Sequence, residues 1–369
     1  MRSRDWRVDT LRGYFLVLMT FTHLPRHPLE RFSSYTFGFA SAPDGFVFLS
    51  GLVSAWVYLR IRGLRGQAAM QARVLQRTRD IYLVHLLLLA LGILGATALQ
   101  QMSFQGIHPF QAFLAGALLL YQPGYCDILP MYCVFLLFTP LVLDQMMKGR
   151  AWLVGLISAL LWLTAQQGFG DATKNVPWIY LGGFNLLAWQ AYFIAGQYLG
   201  SRKLRGQEAV PRSRALLLMC IALALLFFVD RHLEFITGLT PPLKFLAGTG
   251  RNPARFLDAA CLAYILWWLP RSLDHKLIRF RVFRFMNLLG RHSLHVFVFS
   301  LFVTAPWSEA GLPYWIGLPG WAKLGITVAT ALSLAIPAWF HESHRLRARS
   351  QILGVQDPAL AQGSPVRAT

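Results

Sequence analysis

The sequence lacks any polar segment long enough to fold as a soluble domain. Only 14% of its 369 residues are charged, whereas 55% are hydrophobic, and the mean hydropathy is +0.45. Apolar runs follow one another along almost the whole chain, as in proteins that cross a membrane repeatedly. The composition therefore excludes a water-soluble enzyme and predicts an all-α, polytopic integral membrane protein.

Acidic residues are also scarce, with 16 Asp and Glu against 35 Lys and Arg, so the formal net charge is +19. A charge of this size can indicate nucleic-acid binding, but here the basic residues cluster in alternate segments between apolar runs. With the N-terminus inside, 26 of the 35 fall on the cytoplasmic side, as the positive-inside rule requires. The charge pattern predicts a multi-pass membrane protein with both termini in the cytoplasm and no nucleic-acid partner.

Cysteine is rare, and its spacing matches no metal or redox motif. Cys126, Cys133, Cys220 and Cys261 form no C-x-x-C pair and lie in or beside apolar runs, so we expect buried free thiols. A small-residue cleavage site is missing after the first apolar run, which leads into Leu24-Pro25. That run is therefore expected to remain as the first span rather than to be removed as a signal peptide.

The apolar runs predict about ten transmembrane helices and one shorter helix. The run Phe110–Tyr121 is too short to cross and suits a re-entrant or interfacial helix; a crossing there would also move the later basic segments outside. Residues 1–345 are predicted to form the membrane domain and residues 346–369 a disordered cytoplasmic tail. The ten predicted spans are Val8–Leu24, Gly45–Ile61, Ile81–Gln100, Ile128–Met147, Trp152–Gln167, Gly183–Leu199, Ala215–Val229, Phe256–Pro270, Phe285–Pro306 and Trp321–His341.

The first span carries three ionisable residues, Asp9, Arg12 and His23. Charged groups in hydrocarbon cost several kcal/mol each and usually mark a pathway or a site. On an ideal helix, residues eleven apart point within about 20° of each other and lie roughly 16 Å apart along the axis. Arg12 and His23 therefore share one face, with Asp9 near it, and the first span is predicted to carry a polar stripe across the membrane.

Five sequence motifs, in order along the chain, resemble a known family. The first two resemble the membrane acyltransferase-three superfamily, and the full set resembles its osmoregulated periplasmic glucan succinyltransferase branch, the OpgC family. The motifs are R-V-D-T-L-R-G (Arg7–Gly13) with His23, F-V-F-L-S-G (Phe46–Gly51), Y-Q-P-x-x-x-D-I-L-P-M-Y (Tyr121–Tyr132), F-N-L-L-A-W-Q (Phe184–Gln190) and L-G-R-H-S-L-H-V-F (Leu289–Phe297).

The resemblance implies transfer of an acyl group from cytoplasmic acyl-CoA to a glycan hydroxyl on the periplasmic side. In the succinyltransferase branch the donor is succinyl-CoA and the acceptor a β-glucan. The family's catalytic histidine falls on His23, and Arg7 and Arg12 match its R-x-x-D-x-L-R element. The implied partners are acyl-CoA as co-substrate, the glucan and membrane lipid, with no metal and no tightly bound cofactor.

His23 has two interpretations from the residues alone. Its imidazole has the chemistry to take a proton from a sugar hydroxyl near neutral pH, or to carry the acyl group covalently. Alternatively, it is an interfacial histidine bonded to the loop at Pro25. A zinc site shared with His27 is disfavoured, because Pro25 and Pro28 break the helical spacing and no third ligand is evident.

The other predicted site residues each have a structural alternative. Arg7, Asp9 and Arg12 are predicted to bind the donor, since a guanidinium pairs with phosphate or carboxylate, but Arg12 also suits a membrane anchor paired with Asp9.

Two aspartates and two histidines complete the predicted site. Asp127 and Asp44 are predicted to assist catalysis by orienting His23, or else to act as helix N-caps. His292 and His295 are predicted to line the donor path, or else to make contacts between helices.

Two other functions remain open from the sequence. A glycan exporter or flippase would also need a polar path, but that path must be wide enough for a whole glycan, whereas an acyltransferase needs only a tunnel for the donor's arm. A membrane accessory protein of a polysaccharide synthase would contain buried charges that are merely paired.

Overall fold

The computed structural model describes residues 5–24, 26–33, 35–98, 107–122, 127–169, 179, 181–208, 210–233, 252–269, 276–307 and 312–353. These residues form α-helices and no strand, which confirms the predicted all-α class. The chain divides into two compact units, residues 35–269 and residues 1–34 with 270–369, which we describe separately.

The helices are numbered here in chain order. Those of the larger unit are α3 to α9, and the smaller unit contains the others. Their bounds are α1 (Trp6–Thr22), α2 (Glu30–Ser33), α3 (Ala42–Ala98), α4 (Pro109–Ala117), α5 (Ile128–Met147), α6 (Ala151–Gln166), α7 (Leu186–Leu204), α8 (Arg214–Leu233), α9 (Pro253–Trp268), α10 (Arg281–Arg291), α11 (Ser293–Ala305), α12 (Leu312–Gly317), α13 (Gly320–Ser333) and α14 (Ala335–Leu353).

The 57-residue α3 changes direction at Gly66, whose φ of 84° is a left-handed conformation that glycine adopts readily. Before this kink, Arg62 pairs with Asp144 near the C-terminal end of α5 at 2.9 Å. After it, the Thr78 carbonyl accepts a bond from Cys133 Sγ near the N-terminal end of α5, at 3.8 Å. The two halves of α3 therefore run in opposite directions along α5.

The kink corrects one prediction from the sequence. The basic stretch Arg60–Arg79 lies almost entirely between the second and third predicted spans, where the sequence indicated a cytoplasmic connection, but it is helical on both sides of Gly66. Good helix formers such as Ala, Gln, Leu and Arg fill this stretch, so the chain has no local reason to leave the helix except at glycine.

Close packing of α3 against α7 forms the core of the larger unit. A Cβ added at Gly196 would lie 2.0 Å from the Phe48 carbonyl oxygen, and one added at Gly51 would lie 2.0 Å from that of Phe193. Such small residues let helix backbones approach closely where lipid offers no hydrophobic driving force. The two helices therefore touch backbone to backbone.

A buried amide links this pair to α5. Gln197 is fully buried, and its Nε2 donates to Ser54 Oγ at 3.2 Å and to Thr139 Oγ1 at 2.9 Å. One turn earlier, the Phe193 ring lies 5.4 Å from that of Phe135. The order of these contacts shows that α5 and α7 run in the same direction.

The short helix α4 has the length expected of a segment that does not cross the membrane. Its nine residues span about 13 Å, less than half the hydrocarbon thickness. Tyr82 and His85 of α3 donate to the carbonyls of Ala117 and Gly116 at 2.8 and 3.1 Å. These bonds hold the end of α4 against α3, in agreement with the predicted re-entrant or interfacial helix.

In the smaller unit, α1 packs directly on α10. A Cβ at Gly13 would lie 1.7 Å from the Met286 carbonyl oxygen, and one at Gly290 would lie 1.8 Å from that of Asp9. Asn287 adds a donor bond to the Trp6 carbonyl at 3.0 Å. The N-terminal half of the polar stripe is thus held against the helix that leads to His292.

The predicted ninth span, Phe285–Pro306, is wrong as a single straight helix. The helices α10 and α11 meet at a bend of 98° at His292, whose φ of −117° and ψ of 29° interrupt the helix. The predicted tail is also too long, because α14 continues to Leu353; Arg, Ala, Gln and Leu favour helix there. Residues 354–369 lie outside the described residues.

Membrane-length apolar helices are present in both units. Among the residues described, four helices are long and apolar enough to cross, namely 42–95, 128–147, 214–233 and 320–344, and the bent pair α10–α11 is a fifth candidate. Other predicted spans coincide with shorter helices, such as the 17 residues of α1. The chain is therefore a membrane protein, and the count of ten crossings stays a prediction.

The glycine contact between α3 and α7 gives a test of this packing. Gly196→Ala places a methyl group on the Phe48 carbonyl, so we expect a loss of about 1–3 kcal/mol from overpacking. Gly155→Ala is the matched control, because a Cβ there meets nothing within 4 Å. Thermal unfolding in detergent should show a lower Tm only for Gly196→Ala. Equal Tm values for the two variants would contradict the close contact.

Candidate functional site

Arg12 lies on α1 beside the start of α11. Its Nη2 donates to Ser293 Oγ at 2.6 Å. Upstream, the Asp5 side chain caps α1 by accepting from the Arg7 backbone N–H at 3.2 Å. Asp9 is buried, at 4% exposure, one turn before Arg12. The predicted donor-binding residues of α1 therefore lie on its first half, where it packs on α10.

The bend between α10 and α11 brings a second set of charged groups together. Glu342 of α14 accepts from Arg291 Nη2 at 2.5 Å through Oε1, and from His292 Nε2 at 2.8 Å through Oε2. One residue that binds this carboxylate, His292, directly precedes Ser293, the residue that binds Arg12. The structure thus gives Arg12 and His292 adjacent contacts beside the bend, and their role in donor binding stays a prediction.

A histidine that the sequence did not single out, His341, completes this cluster. Its ring centroid lies 3.5 Å from that of His295 and 6.2 Å from that of His292. Both predicted histidines therefore contact the same side chain on α14. Together with Arg291 and Glu342, these residues form what we call the bend cluster.

His23 caps the other end of α1. Its backbone N–H donates to the Thr20 carbonyl at 3.2 Å, and its side chain is half-buried. The neighbouring His27 is committed elsewhere, since its Nδ1 accepts from the Leu29 N–H at 3.2 Å. Burial lowers the pKa of His27, although Glu30 opposes this shift. Arg12 therefore lies in the first half of α1 and His23 directly after its last residue, about 16 Å apart along the helix axis.

Asp44 forms a buried ion pair in the larger unit. Its Oδ2 accepts from Arg255 Nε at 2.7 Å and from the Ser41 backbone N–H at 2.7 Å, and Arg255 Nη2 donates to Ser41 Oγ at 2.5 Å. The Arg255 guanidinium lies 5.2 Å from the Trp189 ring. Asp44 therefore has a structural partner of opposite charge, which the sequence did not reveal, and its predicted catalytic role is untested.

A further buried carboxylate, Asp258, lies one turn along α9 from Arg255. Its Oδ2 accepts from the Ala40 N–H at 2.9 Å, and it is fully buried. Asp44 and Asp258 thus both hold the segment that leads into α3. The sequence contained a signal for these contacts. Arg255 and Asp258 lie at the start of a predicted span, where a charged side chain costs free energy unless it has a partner.

Asp127 stands immediately before α5 and binds the turn that precedes α7. Its Oδ2 accepts from the Gly183 N–H at 2.8 Å. Burial raises the pKa of Asp127 above its ordinary value, and the N–H groups of this turn oppose the shift. Instead of bonding the first turn of its own helix, the carboxylate ties two helix starts together. Raised carboxyl pKa values are common at functional sites and also in structural networks.

The predicted site residues thus fall into separate groups. Arg7, Asp9, Arg12, His23, His292 and His295 belong to the smaller unit, whereas Asp44 and Asp127 belong to the larger one. The sequence missed Glu342, His341 and Arg255, which contact residues that it had singled out, and Asp258, which binds the segment before α3.

The pair of Asp44 and Arg255 predicts a specific stability pattern. Arg255→Gln leaves a buried carboxylate without its partner and should cost about 3–5 kcal/mol. Asp44→Asn should also lower the stability of the protein, because it removes the carboxylate that neutralises the buried Arg255 guanidinium. The double variant leaves neither charge unpaired, so we expect its Tm in detergent to exceed that of at least one single variant. Simple addition of the two losses would show that the charges are not coupled.

The comparisons with known proteins agree with the helical membrane architecture. A family model described as OpgC protein matches residues 4–345 of the 369. No curated protein and no solved structure matches the chain. The match covers most of both units and every site residue described above. The chain therefore belongs to the OpgC family, a membership that indicates a role in glucan modification.

Proposed function

We propose that this protein transfers an acyl group, specifically succinyl, from cytoplasmic acyl-CoA to hydroxyl groups of a glucan on the periplasmic side. The observation that carries this proposal is the arrangement of α1. In the first half of this one helix Arg12 binds Ser293 beside the bend cluster, and His23 caps its C-terminal end. A reaction with its donor and acceptor on opposite sides of a membrane needs such a polar connection.

The donor end is built for an anion. Arg12 offers a planar guanidinium, which pairs with phosphate or carboxylate through two parallel bonds. Ser293 fixes one edge of it at 2.6 Å, and His292 and Arg291 stand beside that contact. Succinyl-CoA carries both phosphates and a terminal carboxylate, so it suits this set of groups. The exposed arginines on both sides of the α3 kink add positive charge that attracts the donor.

His23 supplies the base for the transfer step. The hydroxyl oxygen of the glucan attacks the thioester carbonyl while the His23 imidazole takes the hydroxyl proton. The carbon–sulfur bond then breaks, the ester forms, and the coenzyme A thiolate receives a proton. In a two-step alternative, the imidazole first carries the acyl group and then passes it to the hydroxyl. Neither route requires a tightly bound cofactor.

The sidedness of the reaction rests on the topology. We propose ten crossings with both termini in the cytoplasm, which places Arg12 near the inner face and His23 near the outer face. The distribution of Lys and Arg supports this orientation. It is further supported by the common direction of α5 and α7, which requires an odd number of crossings between them, as the single helix α6 would provide, and by the short α4, which would add no crossing before α5.

His23→Ala tests the proposed function directly. Loss of a general base typically costs about 10² to 10⁴ in rate, so the variant should transfer almost no succinyl group to glucan. The wild-type activity should also fall at acidic pH as the imidazole becomes protonated. The measurement is mass spectrometry of glucan after incubation with succinyl-CoA and purified protein.

His108→Asn serves as the matched histidine control. His108 is exposed and caps α4, and asparagine is also a good N-cap, so this variant should keep wild-type activity. Folded His23→Ala protein that acylates glucan at the wild-type rate would rule out His23 as the base.

A further inference from the structure

The carboxylate of Glu342 holds both residues of the bend at once. One oxygen binds Arg291, the last residue of α10, and the other binds His292, the residue at which the chain turns by 98°. A partly buried carboxylate that accepts two hydrogen bonds restrains its partners more strongly than an exposed salt bridge between two side chains does. Its side chain is 17% exposed, and that of His292 only 9%.

The bend in turn decides where Ser293 lies. Ser293 follows His292 directly, is buried, and begins α11. Its hydroxyl accepts from Arg12 Nη2 at 2.6 Å. A rotation of the chain at His292 would therefore move the oxygen that fixes the Arg12 guanidinium. Glu342 and Arg12 belong to helices far apart in the sequence, yet the residues that they contact, His292 and Ser293, are adjacent in the chain.

Glu342 is unsuited to bind the donor itself. Both of its oxygens already accept bonds, and a carboxylate repels the phosphates and the carboxylate of an acyl-CoA. The groups that it orients, in contrast, carry or can carry positive charge. Its effect on an anionic ligand must therefore pass through its basic partners.

Resting on the proposed function, we infer that Glu342 is a positioning residue for the acyl donor. It fixes the bend at His292 and, through Ser293, sets the Arg12 guanidinium for an anionic group of acyl-CoA. A misplacement of about 1 Å in such a contact can cost up to about 10²-fold. The His341 ring, packed on His295, supports the same turn of the chain.

A double-mutant cycle in donor binding tests this inference. We would measure Kd for succinyl-CoA, with glucan absent, for the wild type, Glu342→Gln, Arg12→Ala and the combination, by calorimetry in detergent. Each single variant should weaken binding by about tenfold, and the double variant should be no weaker than Arg12→Ala alone, because the two act through one contact. Glu208→Gln, an exposed glutamate in the larger unit, should leave Kd unchanged.

Two additional arms keep the result interpretable. Coenzyme A, as a second ligand, shows which group of the donor Arg12 contacts. If Arg12→Ala weakens the binding of both ligands, Arg12 contacts a phosphate. If it weakens only the binding of succinyl-CoA, Arg12 contacts the succinyl carboxylate. Ser293→Ala removes the oxygen between the two residues and should reproduce the loss of Glu342→Gln, which covers the case in which Glu342→Gln fails to fold.

The inference and the proposed function fail in different ways. An unchanged Kd for folded Glu342→Gln, or losses that add fully with Arg12→Ala, would overturn the positioning role while leaving acyl transfer intact. Wild-type protein that binds neither succinyl-CoA nor coenzyme A would overturn the proposed function itself.

Discussion

The cost of burying charge among apolar helices shapes both units of this protein. An unpaired ion in such surroundings costs several kcal/mol, so each one needs a partner or a function. Asp44 meets this requirement with Arg255, and Glu342 meets it with Arg291 and His292. These pairs also fix the chain at its irregular points, namely the segment before α3 and the bend before α11. The positions of the polar groups thus follow from how their charges are compensated.

The first helix combines this constraint with close packing. Gly13 and Gly290 allow α1 and α10 to touch, so the half of α1 that carries Arg12 is held by backbone contact rather than by large side chains. Arg12 then reaches Ser293, and His23 caps the end of the same helix. Under the proposed function, this helix keeps a fixed distance between the arginine that would bind the donor and the histidine that would activate the acceptor. This fixed separation of Arg12 and His23 is the structural basis of the proposed transfer across the membrane.

Hydrophobicity and charge in the sequence predicted the all-α class, the short α4 and most helix positions. Periodicity also related Arg12 to His23 along one helix, and the structure places Arg12 within α1 and His23 as the residue that caps its C-terminal end. Arg12 and Ser293 are 281 positions apart in the sequence, and His292 and Glu342 are 50 positions apart. No local sequence pattern encodes contacts over such separations. The helical continuation of Arg60–Arg79 on both sides of Gly66 was missed because its charges marked the stretch as a connection between spans, and the bend at His292 was missed because it falls inside the predicted span Phe285–Pro306.

The central claim is that an acyl group crosses from one side of the membrane to a glucan on the other. Proteoliposomes with labelled succinyl-CoA sealed inside and β-glucan outside test it most directly. The account predicts label on the external glucan only when the protein is present, with coenzyme A accumulating inside. Label that appears on glucan only when donor and glucan share one compartment, or not at all, would contradict it.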